Sequence, residues 1–490
     1  MTVLTKDLLE FYAKQIDETE YRILREDDLK RSYVFNGKIK QVVQDAIKQE
    51  FKKPETILEL NNRLIPINIV AKAIWKLAQV YNEAPLRKPY DNNEDDSMLV
   101  SQYEQEMKID RTFKEVNAHF KLYKRALVEI YQDRFGRPAL RPVDRPNYEV
   151  FSTSTISPEI PDIVIKIVKH DPNPKKTRLV WWSDESHFIT NGKGEVLSDE
   201  MAKINNPDGV NPYGVLPFVY INQSQTQIVP FPDDDLLRTG IAIPLLLSDL
   251  SFASKYQAWS MIYTIGVDGE IPINPNSVVS LEFGENGQRP EIGMIKPEVD
   301  IPQMLEFVRT LVAMLLSTKN LSVTTVSADL NADNVASGIS KMLDQAETIE
   351  DRKDQQQFFI EAEKELWEKL AHNIVPVWIK QKDFPQDLKQ TFSPDFELAI
   401  YFKQPAVLRT EKERVEDSAF KIDKGLSTLR IELKSLNPQL DDNEVDDLVD
   451  QIKEDKAERI TMLRDEFGAK NPDKNQGQQD QKNDDDQKGT

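Results

Sequence analysis

The chain has 490 residues, with 63 Lys plus Arg against 83 Asp plus Glu and a formal net charge of −20. That length predicts two to four structural domains, since single cores stop growing beyond roughly 250 to 300 residues. The acidity argues against a surface built to hold nucleic acid by its phosphates, though not against DNA contact of other kinds. No cysteine occurs, which excludes disulfides, thiolate metal sites and cysteine nucleophiles together and fits folding in a reducing compartment. The longest apolar runs, such as Ile241 to Leu247 with Pro244 inside, fall short of the roughly 18 residues that span a bilayer, so a soluble protein is expected. The opening stretch MTVLTKDLLEFYAKQ mixes acids with apolar residues and offers no readable secretory signal.

The first third reads as helical. Leu8, Leu9, Phe11, Tyr12 and Ile16 recur at helix spacing, as do Ile39, Val42, Val43, Ala46, Ile47 and Phe51, with Pro54 expected to end the second stretch. A third helix is expected with Pro66 in its first turn, running through Ile69, Val70, Ala73, Ile74, Leu77 and Tyr81. Its apolar stripe needs a partner surface. Lys88 to Ser97 (KPYDNNEDDS) reads as a loop, and helical periodicity resumes from Met107 to Tyr131.

From about Glu149 to Val229 the period becomes that of strands. DIVIKIVK at Asp162 to Lys169 and TRLVWW at Thr177 to Trp182 are rich in branched and aromatic residues. Asn191-Gly192-Lys193-Gly194, between HFIT and EVL, is a hairpin turn signal because Asn and Gly tolerate positive φ. Val215 to Ile221 supplies another strand.

Asp233-Asp234-Asp235 opens a long helix expected over Leu236 to Ile265, its acids suiting the positive end of the helix dipole. Pro244 inside it predicts a kink or a later first turn. Gly266 to Asp300 reads as a small β excursion carrying SVVSLEF and EIGMIKP, and a second helix follows at Pro302 to Ser317. Two helices joined by a compact insertion predict an antiparallel pair with a small domain at its tip.

Leu321 to Ala336 (LSVTTVSADLNADNVA) reads as a loop, and Ser337 is placed to N-cap a helical pattern from Gly338 to Lys382. That pattern would run roughly 67 Å at about 1.5 Å per residue if unbroken. It is polar on all faces at Asp351 to Gln357 (DRKDQQQ), as in a helix bridging packed regions, and should bend or end at Pro376. FELAIYF is a strand candidate. Leu408 to Phe467 is helical in pieces broken near Gly425 and Pro438, with Asp441 or Asp442 capping the last helix. Gly468 to Thr490 has no large apolar residue and is expected to be a disordered tail.

Enzyme signatures are absent: there is no Walker loop, G-x-G-x-x-G, G-x-S-x-G or H-E-x-x-H. No catalytic, metal or cofactor residue is therefore assigned. His119, His170, His187 and His372 have no partner at ligand spacing and are expected in structural roles. The acids Asp233 to Asp235 read as a helix start rather than a cation site, and DDNEVDD from Asp441 lacks the glycine and the bidentate acid of a calcium loop. Strand alternation puts Trp181 and Trp182 on opposite faces, one in a core and one at an interface. Phe358, Phe359, Trp367 and Trp378 read as intersubunit packing, with an intrachain core as the alternative.

The order of these elements is distinctive, and so are four segments within it. NRLIPINIVAKAIWKLAQVYNEAP lies near the N-terminus, and NPYGVLPFVYINQ at Asn211 to Gln223 leads into the long helix. LEFVRTLVAMLLSTKNLS spans Leu305 to Ser322, and NVASGISKMLDQAETIEDRK spans Asn334 to Lys353. Together they resemble the portal (head-tail connector) proteins of tailed bacteriophages. The resemblance implies an α+β, mainly α fold. Its wing would be residues 1–232 and 337–406, its stem 233–265 with 302–321, its small β clip 266–301, its tunnel loop 322–336 and its crown 407–467.

It further implies a homo-oligomeric ring, usually of twelve subunits, at one capsid vertex of the virion, assembled in the host bacterial cytoplasm. Such a ring is the conduit for packaging double-stranded DNA and for its ejection, without catalysis, cofactor or membrane. Partners would be the terminase large subunit, a head-tail adaptor and the major capsid protein. By the same resemblance Thr324, Thr325, Ser327, Asp329, Asn331, Asp333 and Asn334 would face the DNA through weak, non-specific contacts. Glu282, Phe283, Glu285, Arg289 and Glu291 would dock partners at the clip, and Ser337 and Gly338 would start the long helix. Twelve copies at −20 place on the order of −240 charges about one axis, and an acidic channel lets a duplex slide without being held. Two other readings compete: a carboxylate-dependent metal enzyme such as a nuclease, using acids near Asp233 or Asp329, and a monomeric acidic scaffold.

Overall fold

A computed structural model describes residues 2–258, 261–265, 291–295, 300–321, 338–382, 384–402, 411–436 and 442–468. The chain divides into two compact units, Met1–Pro405 and Ala406–Thr490, and its described elements mix helix and sheet, mainly helix.

The first unit opens with helices α1 (Lys6–Ile16), α2 (Thr19–Phe35), α3 (Ile39–Glu50), α4 (Pro54–Asn62) and α5 (Ile69–Leu77). Thr5 caps α1 by accepting from the Leu8 amide, and Asn68 caps α5 by accepting from the Ala71 amide. Pro66 therefore lies ahead of α5 rather than in its first turn, and Pro54 begins α4 as well as following α3, since a missing N–H costs nothing at a first turn. Strand β1 (Leu86–Pro89) and helix α6 (Glu94–Met107) replace the loop expected at 88–97. Asn93 accepts from the Asp95 and Asp96 amides, and the acids of the first turn meet the positive helix end, so a run that looks like a polar loop is a helix start.

Helix α7 (Ile109–Tyr123) ends where Lys124 turns left-handed, at φ 58°. Strand β2 (Arg125–Gln132) follows, so the helix expected to reach Tyr131 stops eight residues early. The RALVEIYQ run suits a strand by its branched residues. After β2 come β3 (Pro138–Val143), β4 (Tyr148–Phe151), β5 (Ile163–Lys169), β6 (Arg178–Trp182), β7 (His187–Thr190), a short α8 (Ser198–Lys203) and β8 (Phe218–Asn222). They form two antiparallel sheets, ordered β3-β2-β8 and β4-β5-β6-β7. The Asn191 to Gly194 turn is present, closed by the Asn191 amide donating to Glu195 O, although EVL returns only a single bridge, Thr190 to Val196.

Helix α9 (Asp234–Ala258) runs through Pro244 without a break, and α10 (Ile301–Ser317) lies beside it. The first of these ends earlier than expected, because Met261–Ile265 forms strand β9, paired antiparallel with β10 (Glu291–Ile295). By length and composition Asp234–Lys255 could cross a bilayer, which the short apolar runs concealed; in this protein its Leu236, Leu237 and Ile243 are buried.

Helix α11 (Gly338–Glu368) continues into a π-helical turn, Lys369–Ile374, and then α12 (Val375–Trp378). The wider turn suits Pro376, whose ring has no N–H for the carbonyl of His372 and would clash with it in a regular helix. Strand β11 (Leu398–Tyr401) closes the unit by pairing antiparallel with β1.

Among the described residues, four cores hold this unit. The largest joins α6, α7, β2 and α11, and it buries Phe359, Trp367 and Trp378 completely. Those three, with the half-buried Phe358 packed on them, are therefore intrachain core and not subunit contacts: aromatic payload at helix spacing is satisfied within the chain. A second core joins α2, α3 and α5 to the α9 and α10 pair. A third seats α1 on β5 and β6, with Trp181 buried, and a fourth lies between the two sheets. Trp182, on the opposite face, stacks on His187 at 3.6 Å between ring centroids.

The second unit contains α13 (Glu411–Asp423), α14 (Leu429–Leu436) and α15 (Asp442–Gly468). The break after α13 falls at Gly425, whose φ of +69° an L side chain rarely adopts. Arg430 and Asp446 link α14 and α15 at 2.6 Å. The tail predicted from Gly468 lies outside the described residues from 469 onward.

Candidate functional site

Two contacts fix the direction of the α9 and α10 pair. At one end β9, which follows α9, pairs with β10, which precedes α10. At the other, Thr318 and Lys319, just after α10, reach Asp235 and Asp233 at the start of α9. The two helices are therefore antiparallel, with a β ladder at the tip and a charged cluster at the base.

The base cluster uses every member of the Asp233 to Asp235 run. Lys319 sits 2.9 Å from Asp233 and 3.0 Å from Asp235, Lys124 sits 2.5 Å from Asp233, and Arg31 sits 2.7 Å from Asp234. Partial burial works against ionisation of Asp233, but hydrogen bonds from Lys124 and Lys319 outweigh it and hold that carboxyl below its usual range. Burial likewise works against the Lys319 ammonium, and its contacts with Asp233 and Asp235 raise it regardless. A cleft of about 220 Å³ opens here, lined among others by Lys121, Lys124, Asp233, Lys319 and Asp351.

Behind the base lies a buried ionic network that aims Arg31. Its other nitrogen donates to Asp28 at 3.2 Å; Arg125 and Arg145 also approach Asp28, at 3.0 and 3.5 Å, and Arg145 pairs with Glu149 at 2.7 Å. Asp28, Arg125, Arg145 and Glu149 are all almost fully buried, so each charge is held by its partners rather than by water.

A second network anchors the long helix. Arg87 on β1 donates to Glu363 of α11 at 2.6 Å, to Glu104 of α6 at 2.6 Å and to Asp110 of α7 at 2.7 Å, while the Tyr81 hydroxyl donates to Glu363 at 2.5 Å. Burial raises the Tyr81 hydroxyl well above its usual range, with the Glu363 charge adding to it, and Glu104 is raised chiefly by burial. Higher on the same helix Lys121 pairs with Asp351 at 2.8 Å, and the Asn117 amide donates to Gln355 at 2.9 Å. Arg352 and Gln355 are buried while Lys353, Asp354 and Gln357 are exposed, so the polar stretch 351–357 turns one side to α7, through Asp351 and Gln355, and keeps the other in solvent.

The sequence-predicted site residues fall largely elsewhere. Thr324, Thr325, Ser327, Asp329, Asn331, Asp333 and Asn334 lie outside the described residues, as do Glu282, Phe283, Glu285, Arg289 and Ser337. Glu291 is exposed at the start of β10 opposite Ile265, and Gly338 opens α11. The described structure thus brings together the supports of those segments: Leu321, from which the predicted loop departs, is buried in the second core. Lys124, Lys319 and Arg87 were not singled out from the sequence, because their partners stand far away along the chain. Among the described residues no group of His, Asp and Glu is placed to hold a metal ion, and Asp233 to Asp235 are taken up by basic side chains. Lys369 donates to Phe218 O at 2.6 Å, and His372 lies 3.2 Å from Phe396 O. His119 is buried between Phe35 and Tyr123, with its basicity lowered by burial.

The arrangement is a mixed helix and sheet body, mainly helical, that clamps an antiparallel helix pair at one end. No protein-family model matches the chain, and no curated protein matches it.

Proposed function

We propose that this chain is the subunit of a portal ring, the conduit through which double-stranded DNA enters and leaves a phage capsid. One observation carries the reading: an antiparallel helix pair with a β ladder at its tip is clamped at its base by Lys124, Lys319 and Arg31 on Asp233 to Asp235. The chain then passes residues 322–337 and enters a helix of 31 residues whose far half is locked into the body through Arg87 and Glu363. In that reading α9 and α10 are the stem, the β9 and β10 end is the clip where terminase and later the adaptor dock, residues 322–336 meet the DNA, and the wing carries the thrust.

Rigid clamping suits the task. A conduit under packaging load needs its stem fixed to the body, and the pairing of Arg31 and Lys319, both largely buried, with the acids at the start of α9 sets the register of that junction, because removing either partner leaves a charge without its counterion. The acidic surplus of 20 charges per subunit keeps phosphates from binding tightly. The nuclease reading has less support at Asp233, since Asp233 and Asp235 are paired with lysine; Asp329, its other candidate, lies outside the described residues.

Negative-stain electron microscopy with light scattering tests the proposal: closed rings with a central hole are expected, and a chain that stays single would overturn it. Within the virus, deleting Thr324 to Asn334 is expected to leave rings intact and to reduce DNA packaging or retention. Full heads at normal yield would count against that loop's role.

A further inference from the structure

Five arginines are buried among the described residues: Arg31, Arg87, Arg125, Arg145 and Arg352. Four of them meet a carboxylate. Arg31 and Arg125 reach Asp28 at 3.2 and 3.0 Å, Arg87 reaches Glu363 at 2.6 Å, and Arg145 reaches Glu149 at 2.7 Å. Arg352, only 7% exposed, makes no ion pair, and its Nε and Nη2 have no hydrogen-bond partner. The acid beside it is taken, since Asp351 is held by Lys121 and by Gln355, each at 2.8 Å. Burial lowers the basicity of the Arg352 guanidinium and Glu83 opposes it, yet Glu83 is exposed and forms no ion pair with Arg352.

Nε and Nη2 form one edge of the guanidinium and present two parallel N–H groups, the same fork with which Arg87 grips both oxygens of Glu363. One turn further along α11 the amide nitrogen of Gln356 is likewise enclosed and without a partner. Three enclosed N–H donor sites therefore stand on one line of the helix, none of them bonded to an acceptor. Water would satisfy the N–H groups but leave a buried charge without its counterion, an arrangement that the other four arginines avoid. We infer that the Arg352 fork, with Gln356 beside it, is a binding site for an oxyanion that offers two acceptor oxygens side by side, a carboxylate or a phosphate. The enclosure of the fork favours a small ion or a slender side chain over the broad backbone of a duplex. Two sources share this chemistry: a free anion, and an Asp or Glu side chain of a second copy of this chain, which has acids in surplus. The site stands on the geometry of α11 and does not require the ring.

Three full-length chains test the site: the natural one, Arg352→Met, which removes the charge, and Arg352→Lys, which keeps the charge but loses the fork. Each is melted in chloride and again with inorganic phosphate replacing chloride at constant ionic strength, and each is sized by light scattering. If a free anion is the source, the natural chain is expected to gain melting temperature saturably with phosphate, and both variants to lose that gain. If a second copy supplies a carboxylate, phosphate is expected to add nothing specific, and both variants to scatter as smaller species than the natural chain while still melting cooperatively. Equal phosphate response in all three chains, the general effect of an excluded salt, together with equal scattering would overturn the site. So would a duplex that the natural chain retains and both variants release, since that would put nucleic acid at Arg352. Should Arg352→Met fail to fold, Arg352→Lys carries the comparison. A natural chain that stays single yet shows the Arg352-dependent gain would overturn the ring and leave this site standing; rings with no dependence on Arg352 would do the reverse.

Discussion

Arg87 is nearly buried and serves three carboxylates from three different helices, so its removal should be felt more than that of any surface ion pair. Arg87→Ala leaves Glu363 buried and uncompensated, and a loss of about 3 to 5 kcal/mol is expected in urea unfolding. An effect below about 1 kcal/mol, the scale of exposed pairs, would show that the network does not hold α11. Titration supplies a second check. The His119 and His187 rings are both kept neutral by burial, His187 down to about 4, with Lys166 lowering it further and Glu129 opposing. A histidine whose folded pKa lies below its unfolded value of 6.5 contributes fully above that pH, and the contribution is lost as the pH falls from about 6.5 toward about 4. Melting temperature should therefore decline across that window, and His187→Phe should flatten the decline. The Asp233 contribution has the opposite chemistry but the same acid side: its carboxyl is depressed, so its stabilisation is present above about 4 and lost only below it.

At the level of elements, α9 crosses α5 at Gly240, where an added Cβ would stand 2.1 Å from Val70 Cγ2. Gly240→Ala improves intrinsic helix propensity yet should destabilise the protein by about 1 to 3 kcal/mol, because overpacking outweighs propensity at a helix crossing. Chemical denaturation separates the two: a stabilised variant would mean that the helices part freely. Pro244 sits one turn further on, and its carbonyl accepts from the Ser248 hydroxyl at 2.6 Å, which in turn accepts from the Ile65 amide at 3.3 Å. The elements that periodicity identified, α3, α5 and α10, each carry a buried apolar stripe, and a stripe is a local property. The misplacements of periodicity fall at boundaries, which a stripe does not mark. The end of α7 depends on a left-handed Lys124 with no glycine to announce it. Similarly, α6 begins in a run of acids that resembles a loop until Asn93 is seen to cap it, and β9 continues the apolar character of α9 and is separated from it only by its ladder to β10.

For the molecule as a whole, the acidity is the quantity that bears most directly on the proposed conduit. A chain at −20 that forms rings should not retain a short duplex at about 0.15 M salt in a mobility-shift assay, since it lacks the cationic surplus from which non-specific affinity arises. Firm binding that weakens steeply with salt would remove the reason for reading the channel as a sliding surface. In the proposed portal reading the first compact unit, Met1–Pro405, would carry wing, stem and clip, and the second, Ala406–Thr490, the crown. Each keeps its own helices.

What the amino-acid order determined by itself is whatever depends on neighbours within a few residues: helix and strand periods, proline and glycine stops, the acids that start α9, the overall charge and the missing thiols. Tertiary structure alone decided the rest. Trp367 and Trp378 became core because β2, α6 and α7 come to meet α11, and Asp233 to Asp235 became a clamp because Lys124 and Lys319 are delivered from 109 and 84 or more positions away along the chain. A side chain's pattern along its own element states that it needs a partner. Which partner it finds is set by loop closure and packing over distances that local periodicity does not encode.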